Sequence, residues 1–212
     1  MAKYEKGILG PFNGKIGPVV GSSWKGIDIM KSKSKRSGKP PTQAQLVQQS
    51  RFSLGAGFIN GISSLLKNSF KAVSGAMSEV NSALKYHLEN AITGTYPAFT
   101  LDYVQVLVSK GQLLNVVNPL TAAIAGGNVQ FNWTDNSGIA MADATDRCVL
   151  VAYCPALKKF VFNSAGPGRN AGTASLDASA FNGQTVHTWI GFMSADGREA
   201  ATSIYTGQVV IV

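Results

Sequence analysis

Charge is scarce in this chain: Asp, Glu, Lys and Arg make up 14% of its 212 residues, against about 25% in an ordinary soluble domain. Histidine and cysteine are scarcer still, with two of each. No apolar run approaches the roughly 20 residues of a membrane-spanning helix. The opening Met1-Ala-Lys-Tyr-Glu-Lys6 leads into glycine-rich sequence without the apolar core of about 7–15 residues and the small-residue cleavage site of a secretory signal. The expectation is synthesis as a soluble cytoplasmic protein with no transmembrane segment. Its final place, in the cytoplasm, an assembled particle or an extracellular filament, stays open. Cys148 and Cys154 flank the apolar run Val149-Leu-Val-Ala-Tyr153, which reads as one strand. Such a strand holds them roughly 20 Å apart, beyond the about 7 Å that a disulfide tolerates. Two free thiols fit a reducing compartment, and two cysteines without neighbouring histidines make no zinc site.

What is present is a core. Hydrophobic residues are 45% of the chain, which excludes wholesale disorder and suits one large domain or an ordinary domain with an extension. The 23 glycines and the few charges imply a surface of Ser, Thr, Asn and Gly. The formal net charge of +8 is unevenly placed: residues 1–71 hold 12 of the 19 basic residues and 2 of the 11 acids, a net +10, and residues 72–212 stand at −2.

Glycines 7, 10, 14, 17, 21 and 26 punctuate the first thirty residues and argue for short strands and turns over helix. A hairpin is expected with arms 15–20 and 24–30 around Gly21-Ser22-Ser23, its second arm placing Trp24, Gly26, Asp28 and Met30 on one face. Lys31-Ser-Lys-Ser-Lys-Arg-Ser-Gly-Lys-Pro-Pro41 is a basic loop without an acid. Thr42-Gln43-Ala44-Gln45 then has the form of a capping box. Helical spacing of Val47, Leu54, Phe58, Ile62 and Leu65 runs to about residue 73, with Gly55, Gly57 and Gly61 either allowing close backbone approach or breaking the segment in two. A second helix is expected over 76–91, ended by Thr93-Gly94.

After Tyr96-Pro97 the period becomes two. Strands are expected at 100–109, 128–134, 148–154, 160–163, 172–176, 185–194 and 203–212, separated by Gly-, Asn- and Asp-rich turns. This is the pattern of an antiparallel sandwich or barrel. The organisation expected is α+β: a Gly-rich basic β arm over 1–41, a two-helix segment over 42–97 and a β-sandwich over 98–212.

Two resemblances follow from particular residues. Val129-Gln-Phe131-Asn-Trp133, Val149-Leu-Val151-Ala-Tyr153 and Thr185-Val-His-Thr-Trp189-Ile-Gly-Phe192 resemble the second, third and penultimate strands of a fibronectin type III or immunoglobulin-like module over 120–212. The whole chain resembles a family of uncharacterised proteins of about this length from Bacteroidetes-type bacteria, a domain of unknown function. That resemblance rests on Gly10-Pro-Phe-Asn-Gly-Lys-Ile-Gly-Pro-Val-Val-Gly-Ser-Ser-Trp-Lys-Gly26, the basic loop before Thr42-Gln43-Ala44-Gln45, and Ile204-Tyr-Thr-Gly-Gln-Val209. It implies no substrate, cofactor or catalytic residue. It does imply that arm, helices and sandwich evolved as one unit.

Catalytic patterns fare poorly. His87 and His187 have no acidic neighbour in sequence to make a Ser-His-Asp set. Gly10-Pro-Phe-Asn-Gly14-Lys15-Ile16 lacks one spacer residue, the Ser/Thr and the following helix of a phosphate loop. Ser82-Ala-Leu-Lys85 lacks the companion motifs of a Ser-x-x-Lys enzyme. Asp135, Asp143 and Asp146 share one loop and have the oxygen chemistry calcium prefers, without EF-hand spacing. No enzyme, cofactor or metal is therefore expected. Lys15, Trp24, Lys25, Lys31, Lys33, Lys35, Arg36, Lys39 and Arg51 form the one functional cluster, suited to a polyanion or an acidic partner, with Trp24 able to stack on a base. The expectation is a self-associating structural protein, using the arm and the apolar edge strand Gln208-Val-Val-Ile-Val212, with nucleic-acid binding through 15–51 as the alternative.

Overall fold

The computed structural model describes residues 3–4, 10–24, 26–35 and 38–212. They fall into two compact units, Met1–Gln43 and Ala44–Val212.

The N-terminal unit is an antiparallel sheet of β1 (Lys3–Tyr4), β2 (Phe12–Ile16), β3 (Val19–Trp24) and β4 (Ile27–Ser32), in that order. The hairpins turn elsewhere than expected. Gly21-Ser22-Ser23 lie inside β3, and the chain reverses at Gly17-Pro18 and again beside Gly26, which have φ of +54° and +80°. Those positive angles are what two-residue hairpin turns require. Gly21 serves packing instead: a Cβ there would stand 2.7 Å from Cδ2 of the Phe12 ring. Trp24 is paired with Ile27 across the second turn, so it shares a face with Ile27 and Ile29 and not with Asp28 and Met30.

The second unit begins with α1 (Gln43–Asn60), directly after Thr42, followed by α2 (Ser63–Ser69). Gly61 divides them and also allows close approach, because a Cβ there would stand 2.6 Å from the Phe160 ring. Gly55 faces Leu84, Leu88 and Ile92 at 3.2–3.5 Å. α3 (Glu79–Asn90) starts three residues later than expected because Ser78 is its cap, accepting from the Asn81 N–H at 3.3 Å. Thr93 and Gly94 do not terminate it. They sit in β5 (Ile92–Thr95), which pairs with β6 (Ala98–Leu101).

The strand expected over 100–109 ends at Leu101. Beyond it, hydroxyl groups replace a ladder: Ser203 Oγ accepts from the Val108 N–H at 3.0 Å, Ser69 Oγ donates to Val108 O at 2.7 Å and Ser109 Oγ donates to Ala201 O at 2.7 Å. Buried backbone groups must find some partner, and these three serines supply it.

The remaining strands are β7 (Val117–Ile124), β8 (Asn128–Thr134), β9 (Arg147–Cys154), β10 (Lys159–Asn163), β11 (Thr173–Asp177), β12 (Thr185–Met193) and β13 (Ile204–Val210). They make two antiparallel sheets, ordered β10-β9-β12-β13 and β11-β8-β7. Phe131, Trp133, Leu150, Ala174, Leu176, Ile190 and Phe192 form the core between them. Val149, Val151, Tyr153 and Trp189, on the alternate positions of β9 and β12, form a second core with Phe58, Ile59, Ile62, Leu65, Leu66 and Phe70. Successive strand residues face opposite sides, so β9 and β12 are buried on both faces and read as almost uninterrupted apolar runs. The segments 42–97 and 98–212 thus share a core, with helices covering the outer face of the four-stranded sheet. The architecture is mixed α/β and is not a closed barrel. No helix among the described residues is long and apolar enough to cross a membrane. Cys148 and Cys154 are free and buried.

Candidate functional site

The register of the N-terminal sheet brings part of the basic cluster together. Lys15 is paired with Val20 and Val20 with Lys31. Directly paired residues project from the same face, so two lysines flank Val20, their backbone positions roughly 10 Å apart at about 4.8 Å per strand. Further along this face stand Trp24 opposite Ile27, and Ile29 opposite Ser22. Trp24 is 54% exposed and Ile27 64%. Met30, on the other face, is 70% exposed. Lys33, whose N–H donates to Pro18 O at 2.7 Å, and Lys35 follow β4 and are exposed. None of Lys15, Lys31, Lys33 and Lys35 enters an ion pair among the described residues. Lys39 is exposed too. Lys25 and Arg36 lie outside the described residues. The result is a one-layer surface with cations at one end and uncovered apolar side chains at the other.

Arg51 belongs to the other unit. Its Nη2 donates to Leu88 O at 2.8 Å and its guanidinium lies 6.0 Å from the Phe99 ring centre. The group ties α1 to α3 and to the β5–β6 hairpin.

The residues weighed for catalysis have structural employment. His87 Nδ1 is 2.7 Å from Ala83 O, and its Nε2 accepts from the Leu107 N–H at 3.3 Å. That pairing fixes the Nδ1–H tautomer. Burial holds its pKa below the ordinary value, against the opposing effect of the two backbone hydrogen bonds. His187 Nδ1 meets the Tyr205 hydroxyl at 2.8 Å and its ring stacks on Tyr103 at 3.7 Å; burial lowers its pKa as well. Phe12–Ile16, weighed as part of a phosphate loop, is strand β2.

The three loop aspartates are engaged within the protein, and the Asp143 N–H donates to Asp146 Oδ2 at 2.9 Å. Asp135 accepts from the hydroxyl and N–H of Ser137, and Asp143 from the N–H and hydroxyl of Thr145. These bonds hold both carboxyls below the usual carboxylate range. Asp146 Oδ2 accepts from Arg169. Among the described residues no three His, Cys, Asp or Glu side chains gather at one point that could hold a metal.

Arg169 carries the feature that sequence reasoning missed. Fully buried, it donates to Asp146 Oδ2, to Asn136 Oδ1 at 2.9 Å and to Leu114 O at 2.8 Å. Its own carbonyl accepts from Trp133 Nε1 at 2.8 Å, and its guanidinium lies 4.5 Å from the Phe192 ring centre. This network closes one end of the core between the two sheets. It is structural, since every group in it already has an internal partner.

Comparison with family models matches residues 11–207 to one described as a family of unknown function, DUF6266. No curated protein and no solved structure matches the chain.

Proposed function

The chain belongs to the DUF6266 family, whose model reaches across both compact units, and from that premise we propose that it is a non-enzymatic structural protein that assembles with copies of itself through its N-terminal unit and exposed sheet edges. The supporting observation is the uncovered sheet. Small sheets need a buried apolar face for stability, yet every residue of β4 is exposed, including Ile27, Ile29 and Met30, with Trp24 beside them. Among the described residues β4 is also an edge strand of that sheet, and an unpaired edge is a template for another chain. A second copy supplies both the missing ladder and the missing apolar layer.

The same reading treats the two large sheets as a fibronectin type III-like sandwich. The orders β11-β8-β7 and β10-β9-β12-β13 support it, because they set the first, second and fifth of seven strands against the other four. The C-terminal edge offers less than expected for pairing: Ile211 is buried, its N–H donates to Gln184 O at 3.1 Å, and Val212 O accepts from Gly127 at 2.8 Å.

Light scattering on the full chain tests the proposal. The wild type should have a mass well above one chain. Ile27→Lys with Ile29→Lys, and removal of residues 1–30, should each yield monomers with unchanged melting of the second unit. A monomeric wild type, or variants that assemble equally well, would overturn it.

The Lys15–Lys31 row favours a second reading, nucleic-acid binding through residues 15–51. Affinity for DNA or RNA would then fall steeply with salt, and Lys15, Lys31, Lys33 and Lys35 changed to Ser would flatten the slope of log K against log salt by about 3 to 4. An absence of salt-dependent binding would remove this reading.

A further inference from the structure

A cleft of about 480 Å³ opens between α1, the β5–β6 hairpin and the turn joining β9 to β10. Its volume falls within the roughly 300–1,000 Å³ of small-molecule sites. The apolar lining is aromatic: Phe58 and Phe160 meet edge to face at 4.9 Å, Tyr153 lies 4.4 Å from Phe160, and Phe99 of β6 adds a fourth ring. Ser50, Ser53 and Gly57 contribute one face of α1, as their spacing of three and four residues dictates. Lys158 is the single charged residue of the lining.

Two groups in this cleft are unemployed. Tyr153 is 7% exposed, and among the described residues its hydroxyl has no hydrogen-bond partner. Thr121 Oγ1 is the one sealed side-chain oxygen or nitrogen lacking a partner among those residues, so the Tyr153 oxygen still reaches open space. Burial pushes the phenol up to about 12, which keeps it a donor at neutral pH. Lys158, held at φ +53° in the β9–β10 turn, enters no ion pair among the described residues. An acceptor placed in the cleft gives both donors a partner.

We propose that this cleft binds a small aromatic carboxylate, its ring packed among Phe58, Phe99 and Phe160 and its carboxylate received by the Lys158 ammonium and the Tyr153 hydroxyl. Aromatic rings prefer the edge-to-face and offset arrangements that such a wall offers. An ionised acceptor makes the stronger class of hydrogen bond with both donors. The site goes beyond the assembly reading and does not depend on it.

The probe is 2-naphthoate, with the neutral 2-naphthamide for comparison, titrated into the full chain and followed by the amide resonances of Gly57, Lys158 and Phe160. Naphthoate should shift them saturably, and naphthamide should bind at least tenfold more weakly. Lys158→Asn keeps a residue that tolerates positive φ and should reduce the tenfold preference to twofold or less. Gly57→Leu introduces a side chain where a Cβ meets nothing within 4 Å. It should fill the cleft and abolish binding of both probes without lowering the melting temperature. No saturable shift with naphthoate, equal binding of the amide, a preference that survives in Lys158→Asn, or undiminished binding by folded Gly57→Leu would each overturn the proposal.

Discussion

Arg169 and Asp146 meet inside the protein, with Nη2 3.0 Å and Nε 3.2 Å from the same carboxylate oxygen and neither side chain more than 3% exposed. Removing one member of a buried pair leaves the other charged and unpaired, which costs about 3–5 kcal/mol. The contacts to Asn136, Leu114 and Phe192 anchor the guanidinium where it is, so relaxation toward solvent is restricted.

Asp146→Leu should therefore lower the stability of the second unit by about 3–5 kcal/mol in urea denaturation. The double variant Asp146→Leu, Arg169→Met should lose clearly less than the sum of the two single losses, because it buries no lone charge. Additive losses would show that the two side chains act independently.

Gly57 of α1 and Gly61, just beyond its end, make a contrasting pair. Gly61→Ala pushes a methyl into the Phe160 ring, and overpacking of this kind costs about 1–3 kcal/mol. Gly57→Ala meets open space and gains up to about 1 kcal/mol from helix propensity. Thermal melts of the two should move in opposite directions, and Phe160→Leu should recover part of the Gly61→Ala loss.

Six of the seven strands of the two large sheets were legible because their apolar residues are dense and their turns carry Gly, Asn or Asp; β7 (Val117–Ile124) was not, since Pro119 sits at a break in its register and most of its residues are exposed. The surplus of cations over residues 1–71 was legible by count, but which of them share a face depends on the strand register, and Arg51 belongs to the other unit. Helices covering the four-stranded sheet were implicit in Val149, Val151 and Trp189, apolar residues on the face of a strand that an ordinary two-layer sandwich leaves to water. The Arg169–Asp146 pair was not legible, since 23 residues separate its members and nothing local marks either as buried. Gly21 misled because a turn glycine and a packing glycine look alike in sequence; the Phe12 ring decides between them. The cleft around Tyr153 depends on three distant segments meeting, which periodicity does not report.

Thiol reactivity provides a local probe of the core between the sheets. Burial pushes the Cys148 thiol up to about 12, and the thiolate is the reactive form. Native protein at pH 8 should resist a disulfide-exchange reagent for hours, whereas the chain in guanidinium should titrate both thiols within minutes. Rapid labelling of Cys148 in the native state would mean that this core opens readily.

His87 makes stability depend on pH. Its folded-state pKa is depressed below the ordinary 6.5 by burial, and His187 shifts in the same direction for the same reason. Above pH 6.5 both histidines are neutral whether the chain is folded or unfolded, and the contribution to stability is fully present. Below it the unfolded chain takes up protons that the folded chain resists, so stability falls until the pH reaches the folded pKa values. Each histidine contributes a slope approaching about 1.4 kcal/mol per pH unit in that window. His87→Gln retains a donor and an acceptor for Ala83 and Leu107 but does not titrate. Denaturation measured between pH 7.5 and 5.0 should therefore show a shallower decline for this variant than for the wild type, even if its stability at pH 7.5 is lower. An identical pH slope in the two proteins would mean that His87 is protonated in the folded state, and the Nε2 acceptor to Leu107 would then have to be withdrawn.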